Sequence, residues 1–87
     1  MTMVISYDLC GVNKSYDALH NTIRSFPKWA RLSESAWAIN TNKTCLEVAN
    51  MLIACTDVDD RVFVAELSGQ AAWRNVMCGD TNLRAMF

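Results

Sequence analysis

An acid follows a tyrosine at the end of a short apolar run, Ile5-Ser6-Tyr7-Asp8-Leu9, and this is the stretch of the chain best suited to chemistry. A carboxylate is a hard oxygen ligand, and Mg²⁺ or Mn²⁺ is the kind of ion it suits. One carboxylate does not make a site, so Asp8 needs a second donor, and another copy of the chain could bring one. Ser6 and Tyr7 could position a phosphate or a water, although a tyrosine in an apolar strand is more often core. The plainer reading of Asp8 is a strand-end carboxylate that accepts turn N–H groups or pairs with Arg61. Lys14, Arg24, Lys28 and Arg31 fall within one stretch and form a candidate nucleic-acid face, diluted by Asp17 and Glu34. His20 has no second His, Cys or Asp at ligand spacing, which leaves it at most a lone base. Trp29, Trp37 and Trp73 could stack on bases, or be buried in the core or a subunit seam. Asp57, Asp59 and Asp60 resemble a cation loop but lack the central Gly and distal Glu of an EF-hand, so a solvated loop is the simpler account.

The whole chain bounds these readings. Its 87 residues suit one domain, 1–87, with no linker or repeat to divide it. Such a body buries only about 60% of its unfolded surface. Yet 52% of its residues are hydrophobic, an excess that hints at a partner surface. Eight Lys and Arg against nine Asp and Glu give a net charge of −1, with no broad basic field. No apolar run approaches the roughly 20 residues that span a bilayer, so no membrane partner is expected. The first residues lack the basic start of a secretory signal, so the expected setting is cytoplasmic. Cys10, Cys45, Cys55 and Cys78 contain no Cys-x-x-Cys and accompany a single His, a pattern of free thiols rather than a zinc site or disulfide framework.

The elements that must position Asp8 follow from periodicity. Residues 4–9 read as a strand with Met3, Ile5 and Tyr7 on its greasier face. A turn at Cys10-Gly11-Val12-Asn13 leads to a helix capped by Asn13 or Ser15, with Asp17 in its first turn. Tyr16, Leu19, Ile23 and Phe26 form its apolar stripe, and Pro27 stops it. Strands are expected over 29–33 and 36–41. Thr44 with Glu47 three residues on is a capping box that opens a second helix, with Cys45, Val48, Ala49, Leu52 and Ile53 as its apolar face. A strand over 61–67 sets Val62, Val64 and Glu66 against Phe63, Ala65 and Leu67. Beyond it, Ala71, Ala72, Trp73, Val76 and Met77 fit a helical turn or a short strand. Thr81 could cap a last helix that carries Leu83, Met86 and Phe87 to the core.

The order β-α-β-β-α-β predicts an α+β, ferredoxin-like fold. Right-handed crossovers place both helices on one face of a four-stranded antiparallel sheet in the order 4-1-3-2, with a short C-terminal extension. The first strand is then central. The second face needs cover from the tail, from a second subunit, or from both, and a two-fold homodimer is the simplest closed solution. Asp8 and Glu66 are expected on that second face but at opposite ends, roughly 14 Å apart, too far for a dyad within one protomer.

Three pieces together carry a family resemblance: Ile5-Ser6-Tyr7-Asp8-Leu9, Ser35-Ala36-Trp37 and Asp60-Arg61-Val62-Phe63-Val64-Ala65-Glu66-Leu67. The set resembles the small dimeric CRISPR adaptation protein that partners the spacer integrase, and its relative, the virulence-associated toxin VapD. It looks closest to stand-alone SinR-like bacterial relatives, which share an Ala-Trp-Arg segment like Ala72-Trp73-Arg74. The resemblance implies a ferredoxin-like homodimer. It also implies that Asp8 is the metal ligand for phosphodiester hydrolysis in a metal-dependent endonuclease or ribonuclease. This chain departs from the family in its low basic content and in having Cys10-Gly11-Val12 where an arginine is common.

Two expectations about function result. One is a nuclease in which Asp8 from each subunit shares Mg²⁺ or Mn²⁺, with Tyr7 beside it. The other is a non-catalytic dimeric adaptor or regulatory module that binds an unknown protein partner.

Overall fold

The computed structural model describes residues 1–10 and 16–87. Seven elements follow in order: β1 (Thr2–Asp8), α1 (Asp17–Arg24), β2 (Lys28–Ser33), β3 (Ala36–Asn40), α2 (Cys45–Ile53), β4 (Arg61–Glu66) and α3 (Asp80–Arg84). The chain is α+β. Its strands form one antiparallel sheet in the order β2-β3-β1-β4, which is the order the element sequence predicts, with β1 between β3 and β4.

Residue parity decides what each face of the sheet does. Met3, Ile5 and Tyr7 of β1 point to the face covered by α1 and α2. There they join Trp37 and Ile39 of β3, Leu19 and Ile23 of α1, Phe26, and Val48 and Leu52 of α2 in one buried cluster. Burying each large side chain of this kind contributes roughly 1.5–3 kcal/mol. The proposed caps of α1, Asn13 and Ser15, lie outside the described residues. Tyr16 immediately precedes the helix and offers no side-chain cap. The Thr44–Glu47 capping box forms in both directions at the start of α2. Ile53, expected on the buried face of α2, is exposed instead, while Met51 and Cys55 on either side of it in sequence pack against the cluster.

The second face has a split character. Ala30 and Ala38 are small, and Leu83 and Met86 of the C-terminal segment fill the space above them. Residues 70–78 form neither the helical turn nor the strand that their apolar spacing suggests. They run irregularly along the edge of β2, where Met77 N–H and Cys78 N–H donate to the carbonyls of Leu32 and Arg31 at 3.0 and 2.8 Å. Those bonds occupy backbone acceptors that an edge strand would otherwise offer to another chain. Gly79, at φ +81°, precedes α3, so Thr81 sits inside the helix and is not its cap. Phe87 is half-exposed and does not enter the core. On the other half of this face, Ser6 and Phe63 are paired neighbours, and Phe63 is 62% exposed.

Glu66 requires a correction. It is the register partner of Met3, so it shares the parity of the helix-covered face, whereas Asp8 shares that of Ser6 and the opposite face. The two acids are at opposite ends, as expected, but also on opposite sides. Strand alternation is local. Which alternation of one strand matches which of its neighbour is set by register, and a one-residue shift inverts it.

Candidate functional site

The C-terminal end of β1 opens into a cleft of about 520 Å³, lined by Tyr7, His20, Arg31 and Glu34 and, from the other side of the strand, by Asp8. Both faces of β1 reach this cleft because the strand ends here.

Asp8 is 64% exposed, and its Oδ2 accepts from Arg61 Nη1 at 2.6 Å. The register pairs the two residues directly across β1 and β4. This is the plainer of the two expected roles for the carboxylate. Among the described residues, no group of three or more His, Cys, Asp or Glu side chains is placed to hold a metal ion. All four cysteines are free thiols. Asp60 Oδ1 and Oδ2 accept from the backbone N–H groups of Cys10 and Asp57 at 2.9 and 2.8 Å, so that acid ties its loop to the end of β1.

Tyr7 is buried, and its hydroxyl is the hub of the site. Trp37 Nε1–H donates to it at 2.9 Å, and it donates to the Glu34 carbonyl at 3.0 Å. His20 Nε2 lies 3.2 Å from the same oxygen. A phenol has one proton, and Glu34 O can only accept. With that proton directed to Glu34, the contact with His20 requires the imidazole to donate. The network thus selects the Nε2–H tautomer, an assignment that follows from hydrogen-bond balance. Nδ1 keeps its lone pair. Sequence spacing left His20 without a partner, and the fold supplies Tyr7 from another element, with the indole of Trp37 at 5.7 Å between ring centroids.

The basic residues divide. Arg31 lies on β2 with the same parity as Trp37, its register partner, and its guanidinium is 5.0 Å from the Trp37 ring centroid. Arg24 ends α1, with its guanidinium 5.5 Å from Trp37 and 5.8 Å from Trp29. Arg31 also donates from Nε and Nη2 to the carbonyls of Ser33 and Glu34, at 3.3 and 2.9 Å, so part of its function is to hold the β2–β3 turn. Lys28 has the opposite parity on β2 and does not join them. Lys14 lies outside the described residues. Among the described residues no carboxylate forms an ion pair with Arg24 or Arg31. Burial pushes His20 below its ordinary pKa of 6.5, the positive charges of Arg31 and Arg24 push it further, and Asp17 opposes them.

The three tryptophans also divide. Trp37 is fully buried, Trp73 is half-buried under the C-terminal segment, and Trp29 is 45% exposed beside Arg24. No helix of the described residues is long and apolar enough to cross a membrane. The chain matches no protein-family model, no curated protein and no solved structure.

Proposed function

We propose that this chain is a small, non-catalytic, ferredoxin-like binding module of the cytoplasm that holds single-stranded nucleic acid on the surface formed by Arg24, Trp29 and Arg31. One observation carries the reading: two guanidinium groups converge on one buried indole, without a carboxylate partner among the described residues, next to an exposed indole. Each cation–π contact contributes about 0.5–1 kcal/mol at an exposed site. Gathering two like charges beside a histidine works against that gain, and an anion from outside would relieve the repulsion. An exposed tryptophan next to such charges is the pairing that single-stranded ligands use, with bases on the ring and phosphates on the cations. The net charge of −1 confines this to a local patch and predicts modest affinity.

The test is fluorescence anisotropy of labelled single-stranded DNA and RNA at low salt. Stacking contributes about 1–3 kcal/mol per base, so Trp29→Ala should weaken binding roughly 5- to 150-fold. Arg24→Ala should lower the salt slope by about 0.7. Equal binding by parent and both variants would remove this surface from consideration.

A second reading is the metal-dependent nuclease, in which a homodimer brings two copies of Asp8 around Mg²⁺ or Mn²⁺. The cleft favours it, because Asp8, His20 and Arg31 line one opening that a phosphodiester could enter. Cleavage of RNA or DNA with Mn²⁺ that disappears in Asp8→Asn would support this reading. No cleavage with any divalent ion would leave the chain as a binding module that works through nucleic acid or a protein partner.

A further inference from the structure

The two edges of the sheet differ. On the β2 edge, Met77 and Cys78 occupy outward carbonyls. On the β4 edge, Leu67 N–H donates to the Thr2 carbonyl at 2.8 Å, so the backbone groups of Arg61, Phe63 and Ala65 turn toward β1. Alternation then turns those of Val62, Val64 and Glu66 outward, and among the described residues none of them has a backbone partner. Between Arg61 and Glu66 this edge has no charge, proline or bulge of the kind that keeps an open edge from pairing. Helix α2 carries a second apolar stripe on the same side. Val48 and Leu52 are its buried residues. Glu47 and Met51 line a cleft with Phe26 and Pro27, which marks the flank toward α1 and β2. Residues advance about 100° each along a helix, so Leu46, Ala49 and Ile53 lie on the opposite flank, above the β4 edge. Leu46 is 71% exposed and Ile53 56%. Their i, i+3, i+7 spacing is that of a helix–helix seam, with the small Ala49 at its middle.

We infer that β4 and α2 together form an interface for a second copy of this chain, with the two β4 strands paired antiparallel edge to edge and the two α2 helices antiparallel beside each other. A two-fold axis perpendicular to the sheet makes both contacts at once and keeps every helix on one face. A foreign strand would fill the edge and leave the helix stripe bare, and a foreign helix would do the reverse. Charge sets the register. With the axis at Val64, Val62 lies opposite Glu66 of the partner subunit, and the outward groups form about six bonds. Phe63 then packs on Ala65 of the partner subunit, which covers an exposed ring. An axis at Phe63 would instead set Asp60 opposite Glu66, two like charges. This is not the dimer that a shared ion needs. Asp8 lies one strand in from the edge, opposite Arg61, so its two copies would be roughly 25 Å apart. The surfaces formed by Arg24, Trp29 and Arg31 would occupy the two outer ends of one continuous sheet.

The experiment is sedimentation equilibrium of the full chain over about 1–300 μM, with amide hydrogen exchange on the same samples. The parent should dimerise with a Kd below about 100 μM, and the amides of Val62, Val64 and Glu66 should exchange at least about tenfold more slowly in the dimer. Val64→Pro should weaken the dimer at least about tenfold, and it removes no bond within one protomer because that N–H faces outward. Leu46→Lys and Ile53→Glu should each have the same effect. Both residues are exposed, so the fold should survive, and an unchanged Trp37 side-chain N–H signal would show that it has. If Val64→Pro disturbs that signal, the two α2 variants decide. Combining Leu46→Lys with Ile53→Glu in one chain should restore part of the lost affinity, because an antiparallel seam centred near Ala49 sets position 46 against position 53. A parent that stays monomeric, a dimer indifferent to Ile53→Glu, no slowing at the three amides, or no recovery in the double variant would overturn the inference. So would a dimer lost in Asp8→Asn and kept in Ile53→Glu.

Discussion

The hydroxyl of Tyr7 stands 3.2 Å from Nε2 of His20 and sends its only proton to the carbonyl of Glu34. His20 is thereby the donor in their contact, and the β2–β3 turn, helix α1 and the central strand share one oxygen atom. Three predictions concern this arrangement and the acid next to it.

Tyr7→Phe should be costly for so small a change. The phenol oxygen is the acceptor for Trp37 Nε1–H, and Trp37 is fully buried. Removing the oxygen leaves a buried donor unsatisfied, which costs about 1–3 kcal/mol. In a domain of this length each kcal/mol lowers Tm by about 4–8 °C. Urea melts and thermal scans of parent and variant check this. A difference under about 0.5 kcal/mol would mean that a water or a shifted neighbour takes over the bond.

Asp8→Asn should have the opposite character. The carboxylate is ion-paired, but both partners are well exposed, and pairs of that kind contribute about 0–1 kcal/mol. Chemical denaturation should therefore move little while Tyr7→Phe moves a great deal, although the two residues are adjacent in the chain. A large loss of stability in Asp8→Asn at low protein concentration would instead reveal that the acid is buried in an assembly.

The pH response of His20 has a definite sign. Its pKa in the folded chain lies below the ordinary 6.5, from burial first and then from Arg31 and Arg24. On acidification the unfolded chain takes up the proton before the folded one. The contribution to stability is fully present above about pH 6.5 and is lost as the pH falls through the lower, folded value. Stability should thus rise with pH across that window, and His20→Gln should flatten the rise. An NMR titration of the ring should show the pKa move upward in Arg31→Ala without returning to 6.5, because burial remains. A bound oligonucleotide should also raise it, since phosphate charge offsets the arginines. A downward shift on binding would place the nucleic acid elsewhere.

Much of the scaffold was legible in residue order. Alternation of Met3, Ile5 and Tyr7 names the buried face of β1, Pro27 ends α1, and the Thr44–Glu47 box opens α2, because each depends on residues within one turn or one strand. Short-range signals failed in residues 70–78, whereas the expected last helix forms as α3 with Leu83 and Met86 buried. Over 70–78, Trp73, Val76 and Met77 have helical spacing, but bonds to the exposed edge of β2 and packing over Ala30 and Ala38 outweigh local preference.

The amino-acid sequence by itself determined the order of the first six elements, and through the handedness of crossovers the central place of β1. Tertiary structure alone decided the site. His20 and Tyr7 are 13 positions apart, and Tyr7 and Trp37 are 30 apart. Whether they meet depends on strand register and on how α1 rolls over the sheet. Register also put Glu66 on the side away from Asp8. The physical reason is the same throughout: periodicity reports which side of its own element a residue occupies. The partner it meets is set by how elements pack, a balance over many side chains that no single stretch encodes.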